Sequence, residues 1–328
     1  MSGVCLDGLY LSSCLQYSEM VASLIKDLVG DCDCSTLSGG VDTTFVVLAH
    51  PRRNGLKVVT VDLGGDDVVY ADLVARKLGV EDHVILRPSD EEFLEAVDWV
   101  LRNLRTIDPV EVSADAVHYI TSRWALESGC RCLITGDGGD EVFLGYTFLR
   151  GKSLEEMISW RELMLEEAWL PTVHVGALVG VRVEAPLYSK PVRDVVRSIP
   201  LNCILVKELE GKIVLRLYIE LHGLREVAWR RKTPVNVGSG SLERLKAIAR
   251  RVELDERVLE GVRNAMGFKP PTHLHGFLAY RMLELGVEPP GVVENGCPIC
   301  GRMIYRSFCR FCGTYITASG HTLHYVED

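Results

Sequence analysis

Ser38-Gly39-Gly40-Val41-Asp42-Thr43-Thr44 lies between two apolar runs, Cys34-Ser35-Thr36-Leu37 before it and Phe45-Val46-Val47-Leu48-Ala49 after it. The pattern reads as a strand, a tight glycine turn and the first turn of a helix. Two glycines let the backbone turn sharply and bring its N–H groups close to a ligand. With a helix N-terminus behind them, those N–H groups form a site for an anion such as phosphate. Ser38, Thr43 and Thr44 add hydroxyl donors, and Asp42 suits a cation held beside phosphates. The plain alternative is a Gly-Gly turn that binds nothing, because short glycine motifs recur by chance.

Working outward, Val58-Val59-Thr60-Val61 reads as a second buried strand, and Val68, Ala71, Val74, Ala75 and Leu78 as a helix ended by Gly79. His83–Leu86 follows as a third strand, residues 89–105 and 111–128 as helices, and Cys130–Thr135 as a fourth strand. On the other side, apolar spacing from Ser18 to Val29 predicts a helix stopped by Gly30. Strands alternating with helices predict a Rossmann-like parallel sheet covered on both faces, with ligands beyond the carboxyl ends of its strands. The fourth strand runs into Gly136-Asp137-Gly138-Gly139-Asp140-Glu141, a second glycine turn with three carboxylates. If the two strand ends are neighbours, Asp42 and Asp140 can share a magnesium ion on nucleotide phosphates.

From about 151 to 286 the chain reads as helix-rich. Lys212 opens a helical stretch, and the basic run Arg230-Arg231-Lys232 is either a solvated face or a counter-charge to triphosphate. Pro289-Pro290-Gly291 marks a linker. Beyond it, Cys297-x-x-Cys300 and Cys309-x-x-Cys312, each followed by glycine, form two knuckles whose four thiolates suit a closed structural zinc site. Iron or redox chemistry at the same cysteines is the alternative. The expected organisation is an N-terminal helical segment (1–30), an α/β domain (31–286), a linker (287–296) and a zinc ribbon (297–328).

With 328 residues, 47% hydrophobic and 25% charged, the chain is long enough for a large core with an appendage. Its formal net charge of −9 argues against a general nucleic-acid binder. No apolar run is long enough for a membrane span and no secretory signal is read, so a cytoplasmic location is expected. Gln16 is the only glutamine and arginine outnumbers lysine, a composition suggestive of a heat-adapted source. The odd total of eleven cysteines fits a reduced protein better than a disulfide framework. Cys32, Cys34, Cys130 and Cys132 are accordingly expected as buried thiols, with inter-strand disulfides the lesser alternative.

Assembled, these motifs resemble the synthetase domain of asparagine synthetase, within the ATP pyrophosphatases. Ser38 to Thr43 is similar to that family's pyrophosphate loop, and Gly136–Glu141 with Gly145-Tyr146 to its acidic loop. Asp108-Pro109, Lys212-x-x-Leu215-Arg216 and Arg231-Lys232 followed by Gly238-Ser239-Gly240 fall in the family's order. The resemblance implies adenylation of a substrate carboxylate by ATP, then displacement of AMP by ammonia or an amine. It assigns Ser38, Gly39, Gly40, Val41, Asp42, Thr43 and Gly136 to ATP and pyrophosphate, and Asp42 and Asp140 to magnesium. Lys212 would stabilise charge on the phosphates, and Asp137 would handle the amine or its intermediate.

Three departures stand out. No glutaminase domain is expected before the first loop, since the chain opens Met1-Ser2-Gly3-Val4 rather than with an N-terminal cysteine; ammonia would come from solution or a separate glutaminase subunit. The family's Glu-x-Arg-x-Pro-Phe-Leu-Asp stretch reads Arg182-Val183-Glu184-Ala185-Pro186-Leu187-Tyr188-Ser189, with its charges swapped. The cysteine tail is an addition, and it leaves a second reading open: an RNA-modifying enzyme that adenylates a tRNA base, the zinc ribbon gripping RNA.

Overall fold

The computed structural model describes residues 8–206, 211–317 and 319–324; the Met1–Val4 opening lies outside them. In chain order the elements begin α1 (Gly8–Leu28), β1 (Cys34–Thr36), α2 (Val41–Ala49), β2 (Lys57–Val61), α3 (Asp67–Leu78), β3 (Asp82–Leu86), α4 (Asp90–Asn103) and α5 (Pro109–Glu127). There follow β4 (Leu133–Ile134), α6 (Gly139–Val142), α7 (Leu154–Glu167), α8 (Pro171–Val179), β5 (Val183–Glu184), α9 (Lys190–Ser198), α10 (Leu201–Ile204) and α11 (Ile213–Leu221). The chain ends with α12 (Arg225–Ala228), α13 (Val235–Gly238), α14 (Ser241–Ala249), α15 (Glu256–Met266), α16 (His273–Glu284), β6 (Tyr315–Ile316) and β7 (Thr322–Leu323).

Two compact units result: residues 1–62, 66–86 and 121–234, and residues 63–65, 87–120 and 235–328. The first holds a five-stranded, all-parallel sheet in the order β3-β2-β1-β4-β5. Chain order runs outward from β1 through β2 to β3, then resumes at β4 on β1's other side. That reversal is a topological switch point, where loops diverge and leave a crevice. One face of the sheet is covered by α1, α2 and α11 through Val21, Ile25, Phe45, Val47, Val214 and Leu215, all buried. On the other face Cys34, Val59, Leu133 and Val181 pack with Ala125 near the end of α5.

The expected strands and helices are present with shifted ends, and Gly79 caps α3 in the left-handed region (φ 66°). Ser89 and Glu92 form a capping box that starts α4. Three elements differ from expectation, the first being β5, a fifth sheet strand inside the stretch read as helix-rich. Helix α1 begins ten residues earlier than Ser18, anchored by Ser18, whose hydroxyl donates to Val214 O at 2.6 Å. The fourth strand shrinks to Leu133–Ile134; ahead of it, Arg131 N–H donates to the Asp33 side chain rather than to a strand carbonyl.

Those cross-links correct the expectation of free thiols. Cys32 is bonded to Cys132, Cys34 to Cys130, and Cys14 to Cys203. The sequence shows the alternating cysteines but not which strands are neighbours; pairing β1 with β4 brings them together. A cross-link spanning 100 residues restricts the unfolded chain by about 4–5 kcal/mol. The Cys34–Cys130 loop is nested inside it and adds less.

In the second unit, α4, α14, α15 and α16 accompany the cysteine knuckles and the antiparallel pair β6–β7. Helix α5 starts in this unit and ends in the first.

Candidate functional site

The Ser38–Thr43 loop follows β1 and closes on itself. Thr43 Oγ1 accepts from Ser38 N–H at 3.2 Å and lies 3.1 Å from Ser38 Oγ, which accepts from Gly40 N–H at 3.2 Å. Gly39 sits at φ +65°, and a Cβ there would lie 2.4 Å from the backbone of Tyr70, so only glycine fits. Gly40 caps α2 without a side-chain bond, leaving the first-turn N–H groups free of a cap. Arg230 braces the loop from behind: it donates to Ser38 O at 3.0 Å and to Asp67 Oδ1 at 2.7 Å, over the Tyr70 ring.

The acidic loop follows β4, directly beside β1. A Cβ on Gly136 would come within 2.9 Å of Asp42 Cβ and Thr43 N, and one on Gly139 within 2.2 Å of Asp42 Oδ1. These two glycines let the loops touch. Lys212 Nζ bridges both loops, paired with Asp42 Oδ2 and lying 2.7 Å from Asp140 Oδ1. Lys232 Nζ meets the other oxygen, Asp140 Oδ2, at 2.6 Å. Asp42 Oδ1 is buried and has no hydrogen-bond partner among the described residues.

Two carboxylates and two ammoniums therefore share one spot, with Lys212 and Asp140 buried and Asp42 and Lys232 half-buried. Burial would raise the Asp140 carboxyl, but the Lys212 and Lys232 ammoniums outweigh it and hold Asp140 well below the usual range. Asp42 is raised, burial outweighing Lys212, with the Asp140 charge adding to it. Lys232 is raised by Asp140 and Asp42 against its own burial. Glu141, whose carboxylate accepts from Tyr146 OH, is pushed up to about 7 by burial and by the Asp140 charge.

Lys212 occupies the left-handed region (φ 67°, ψ 30°) as the N-cap of α11. A non-glycine residue there is strained by about 1–2 kcal/mol, a cost found where function demands a geometry. Its N–H donates to Phe143 O, and its carbonyl accepts from Leu215 and Arg216. Arg216, fully buried, donates to Gly211 O at 2.8 Å and to Arg230 O at 3.1 Å, fixing the segment that carries Lys232.

The site thus gathers Ser38–Thr43, Gly136, Asp42, Asp140 and Lys212. Asp137 is turned elsewhere: its oxygens accept from Thr172 N–H at 3.0 Å, Thr172 Oγ1 at 3.1 Å and Thr135 Oγ1 at 3.0 Å, capping α8. Lys232 and Arg230 were absent from the expected site, although the basic run containing them signalled it. Thr172 gave no signal. Arg182 and Glu184 do bridge, at 2.9 Å, but on the surface, where exposed Arg182 also pairs with Asp31 at 3.0 Å.

The four ribbon cysteines, Cys297, Cys300, Cys309 and Cys312, are buried, and their sulfurs lie within 4.8 Å of one another. Cys297 and Cys312 sulfurs are 3.7 Å apart and those of Cys300 and Cys309 3.5 Å. Tetrahedral zinc with bonds of about 2.3 Å requires edges of about 3.8 Å, so the donor set fits zinc. Each knuckle repeats one turn: Gly301 N–H donates to Cys297 O and Gly313 N–H to Cys309 O, both glycines at positive φ. Asp108 lies against the second knuckle, 2.6 Å from where a Gly313 Cβ would stand, and burial with the nearby Glu111 charge pushes it up to about 8.

A glycine-rich loop and an acidic loop, meeting at the switch point of a parallel sheet and bridged by lysine, define the site of a Rossmann-like α/β domain. Residues 26–170 match the family model described as asparagine synthase. The chain is similar to asparagine synthetase B [glutamine-hydrolyzing] of Escherichia coli (27% identical, covering 70% of this chain and 43% of that protein). It is similar at 27% to asparagine synthetase [glutamine-hydrolyzing] of Gallus gallus (76% and 48%) and to a putative asparagine synthetase of Methanocaldococcus jannaschii (50% and 32%). The chain spans less than half the length of these relatives. Among the described residues no helix is long and apolar enough to cross a membrane.

Proposed function

We propose that the protein is an ATP-dependent carbon–nitrogen ligase that activates a carboxylate as its adenylate and passes it to ammonia or an amine. The observation that carries this reading is the Asp42–Lys212–Asp140–Lys232 cluster between the two loops. The relatives' name supports asparagine as the amide formed.

In this reading the N–H groups at the start of α2 and the hydroxyls of Ser38 and Thr43 hold the β- and γ-phosphates. A substrate carboxylate oxygen attacks the α-phosphorus and pyrophosphate departs. Lys212 and Lys232 are placed to neutralise the charge that grows on the leaving group, which needs no reorganisation in a dry site. Asp42 and Asp140 fit magnesium, since one or two carboxylates plus phosphate oxygens are its usual set and Asp42 Oδ1 lacks a partner. When bound, that ion would screen the phosphates and orient them. Ammonia then attacks the acyl carbon, and AMP leaves with the carboxylate's oxygen.

Asp137 keeps the role the resemblance gives it, handling the amine or its intermediate, for which its carboxylate must leave Thr172 and Thr135. The ribbon is assigned a structural zinc. Ammonia would come from solution or from a partner glutaminase. Release of AMP and pyrophosphate from Mg·ATP, measured against a panel of amino acids with ammonium, with and without tRNA, tests the reading. Release driven by aspartate with ammonium is the expected result. Release that requires tRNA, or ADP as product, would contradict it.

A further inference from the structure

The two ligand-bearing loops leave strands joined by a very short ladder, with only Cys34↔Leu133 and Ser35↔Ile134 in register between β1 and β4. At the start of that ladder stand two cross-links: Cys34–Cys130, from the first residue of β1, and Cys32–Cys132, two residues ahead of it. Between them Arg131 donates to Asp33 through its backbone N–H at 2.9 Å and its Nε at 3.0 Å. Cys34 lies four residues before Ser38, and Cys130 six before Gly136.

The four sulfurs differ in reach. Cys32, Cys34 and Cys132 are fully buried, whereas Cys130 is half-buried and next to exposed Arg131. Thiol–disulfide exchange starts at a sulfur the attacking thiolate can reach. That singles out Cys34–Cys130 and shields Cys32–Cys132.

We propose that Cys34–Cys130 is a redox-sensitive positioning cross-link, which holds the phosphate loop and the acidic loop at binding distance when closed and loosens them when reduced. The proposal rests on the ATP reading above. A dithiol thiolate attacks Cys130 Sγ and Cys34 leaves as a thiolate that takes a proton. The reductant's second thiol then closes on the mixed disulfide and frees Cys130. Two electrons come from the dithiol, which ends as its own disulfide.

The consequence is geometric. Bonded sulfurs stand about 2.05 Å apart, whereas the unbonded pair Cys300 and Cys309 stands at 3.5 Å. Reduction therefore asks for roughly 1.5 Å more room beside β1. The loops tolerate little of this, because Gly136 and Gly139 already meet Asp42 without space for a Cβ. Displacements near 1 Å are enough to cost about a hundredfold at an aligned site. Cys32–Cys132 remains as the pivot, so the chain stays folded while the site opens.

The test uses the full chain with and without a mild dithiol, the cleaved bond being mapped by alkylation and mass spectrometry. Two quantities are read: the Kd for magnesium with a non-hydrolysable ATP analogue, and amide hydrogen exchange over 38–43 and 136–141. The expected result is alkylation of Cys34 and Cys130 ahead of Cys32 and Cys132, a Kd raised about tenfold or more, and faster exchange in both loops, all reversed by reoxidation. A Cys34→Ser/Cys130→Ser chain should behave as the reduced form; if it does not fold, the reduced parent still decides. Cleavage with Kd within twofold and unchanged exchange overturns the proposal, as does failure of the dithiol to cleave this bond first. An oxidised chain that binds no analogue overturns the ATP reading instead, while the exchange data still judge the cross-link.

Discussion

Replacing Lys212 separates charge from backbone in one residue. Its ammonium is almost wholly buried against Asp42 and Asp140. Removing one partner of a buried pair costs about 3–5 kcal/mol of stability. Here Lys232 still serves Asp140, and Asp42, already raised, can take up a proton, so a loss near the lower end, about 3 kcal/mol, is expected. Lys212→Ala keeps an unfavourable left-handed φ, whereas Lys212→Asn places a residue that tolerates it. The two variants should differ in stability by about 1 kcal/mol, read by denaturant unfolding. Both should lose adenylation equally, by about 10²–10³-fold, the usual cost of deleting a preorganised charge donor. ATP binding should persist through the phosphate loop. Pyrophosphate release by Lys212→Asn within threefold of the parent would refute the reasoning, because charge would then not be what Lys212 supplies.

Other perturbations give further outcomes. Gly39→Ala places a Cβ against Tyr70 backbone and should remove nucleotide binding and destabilise the fold by more than about 2 kcal/mol, checked by thermal unfolding and analogue binding. His50 is buried, its Nε2 facing Val29 O and Cys32 O at 3.2 Å while Nδ1 accepts from Arg52 N–H, so the neutral ring is held and burial lowers its pKa. The unfolded chain then binds the proton more readily. His50's contribution should be fully present above pH about 6.5 and lost as pH falls through the folded value. A His50→Gln chain should show a flatter stability profile over that window, by chemical denaturation at several pH values. Chelation should release one zinc per chain and destabilise the second unit. There the knuckle carbonyls Phe311 O and Arg310 O are held by Ile107 N–H and Thr106 Oγ1, and Cys312 O contacts the His275 ring; hydrogen exchange over 104–112 reports it.

The parallel sheet was legible because β-branched runs alternate with amphipathic helices, and both glycine loops announce themselves by composition. Strand neighbours were not legible, since pairing of β1 with β4 is decided by packing far apart in sequence. For the same reason the cross-links Cys32–Cys132 and Cys34–Cys130 went against expectation, and Cys14–Cys203, 189 residues apart, gave no local sign. The basic run holding Lys232 read equally as a solvated face or a counter-charge to triphosphate; only the fold shows Lys232 meeting Asp140. The Thr172 partner of Asp137 was hidden because a threonine after a proline reads simply as a helix start. Asp108-Pro109, read in the family's order, proved to abut the second cysteine knuckle, a contact between residues about 200 apart in the chain.

Adenylation requires a carboxylate oxygen to attack the α-phosphorus of ATP. Aspartate labelled with ¹⁸O in its side-chain carboxylate, incubated with Mg·ATP and ammonium, tests it most directly by mass spectrometry of the nucleotide. One labelled oxygen is expected in AMP and none in pyrophosphate. Label appearing in inorganic phosphate, with ADP as the nucleotide product, would contradict it.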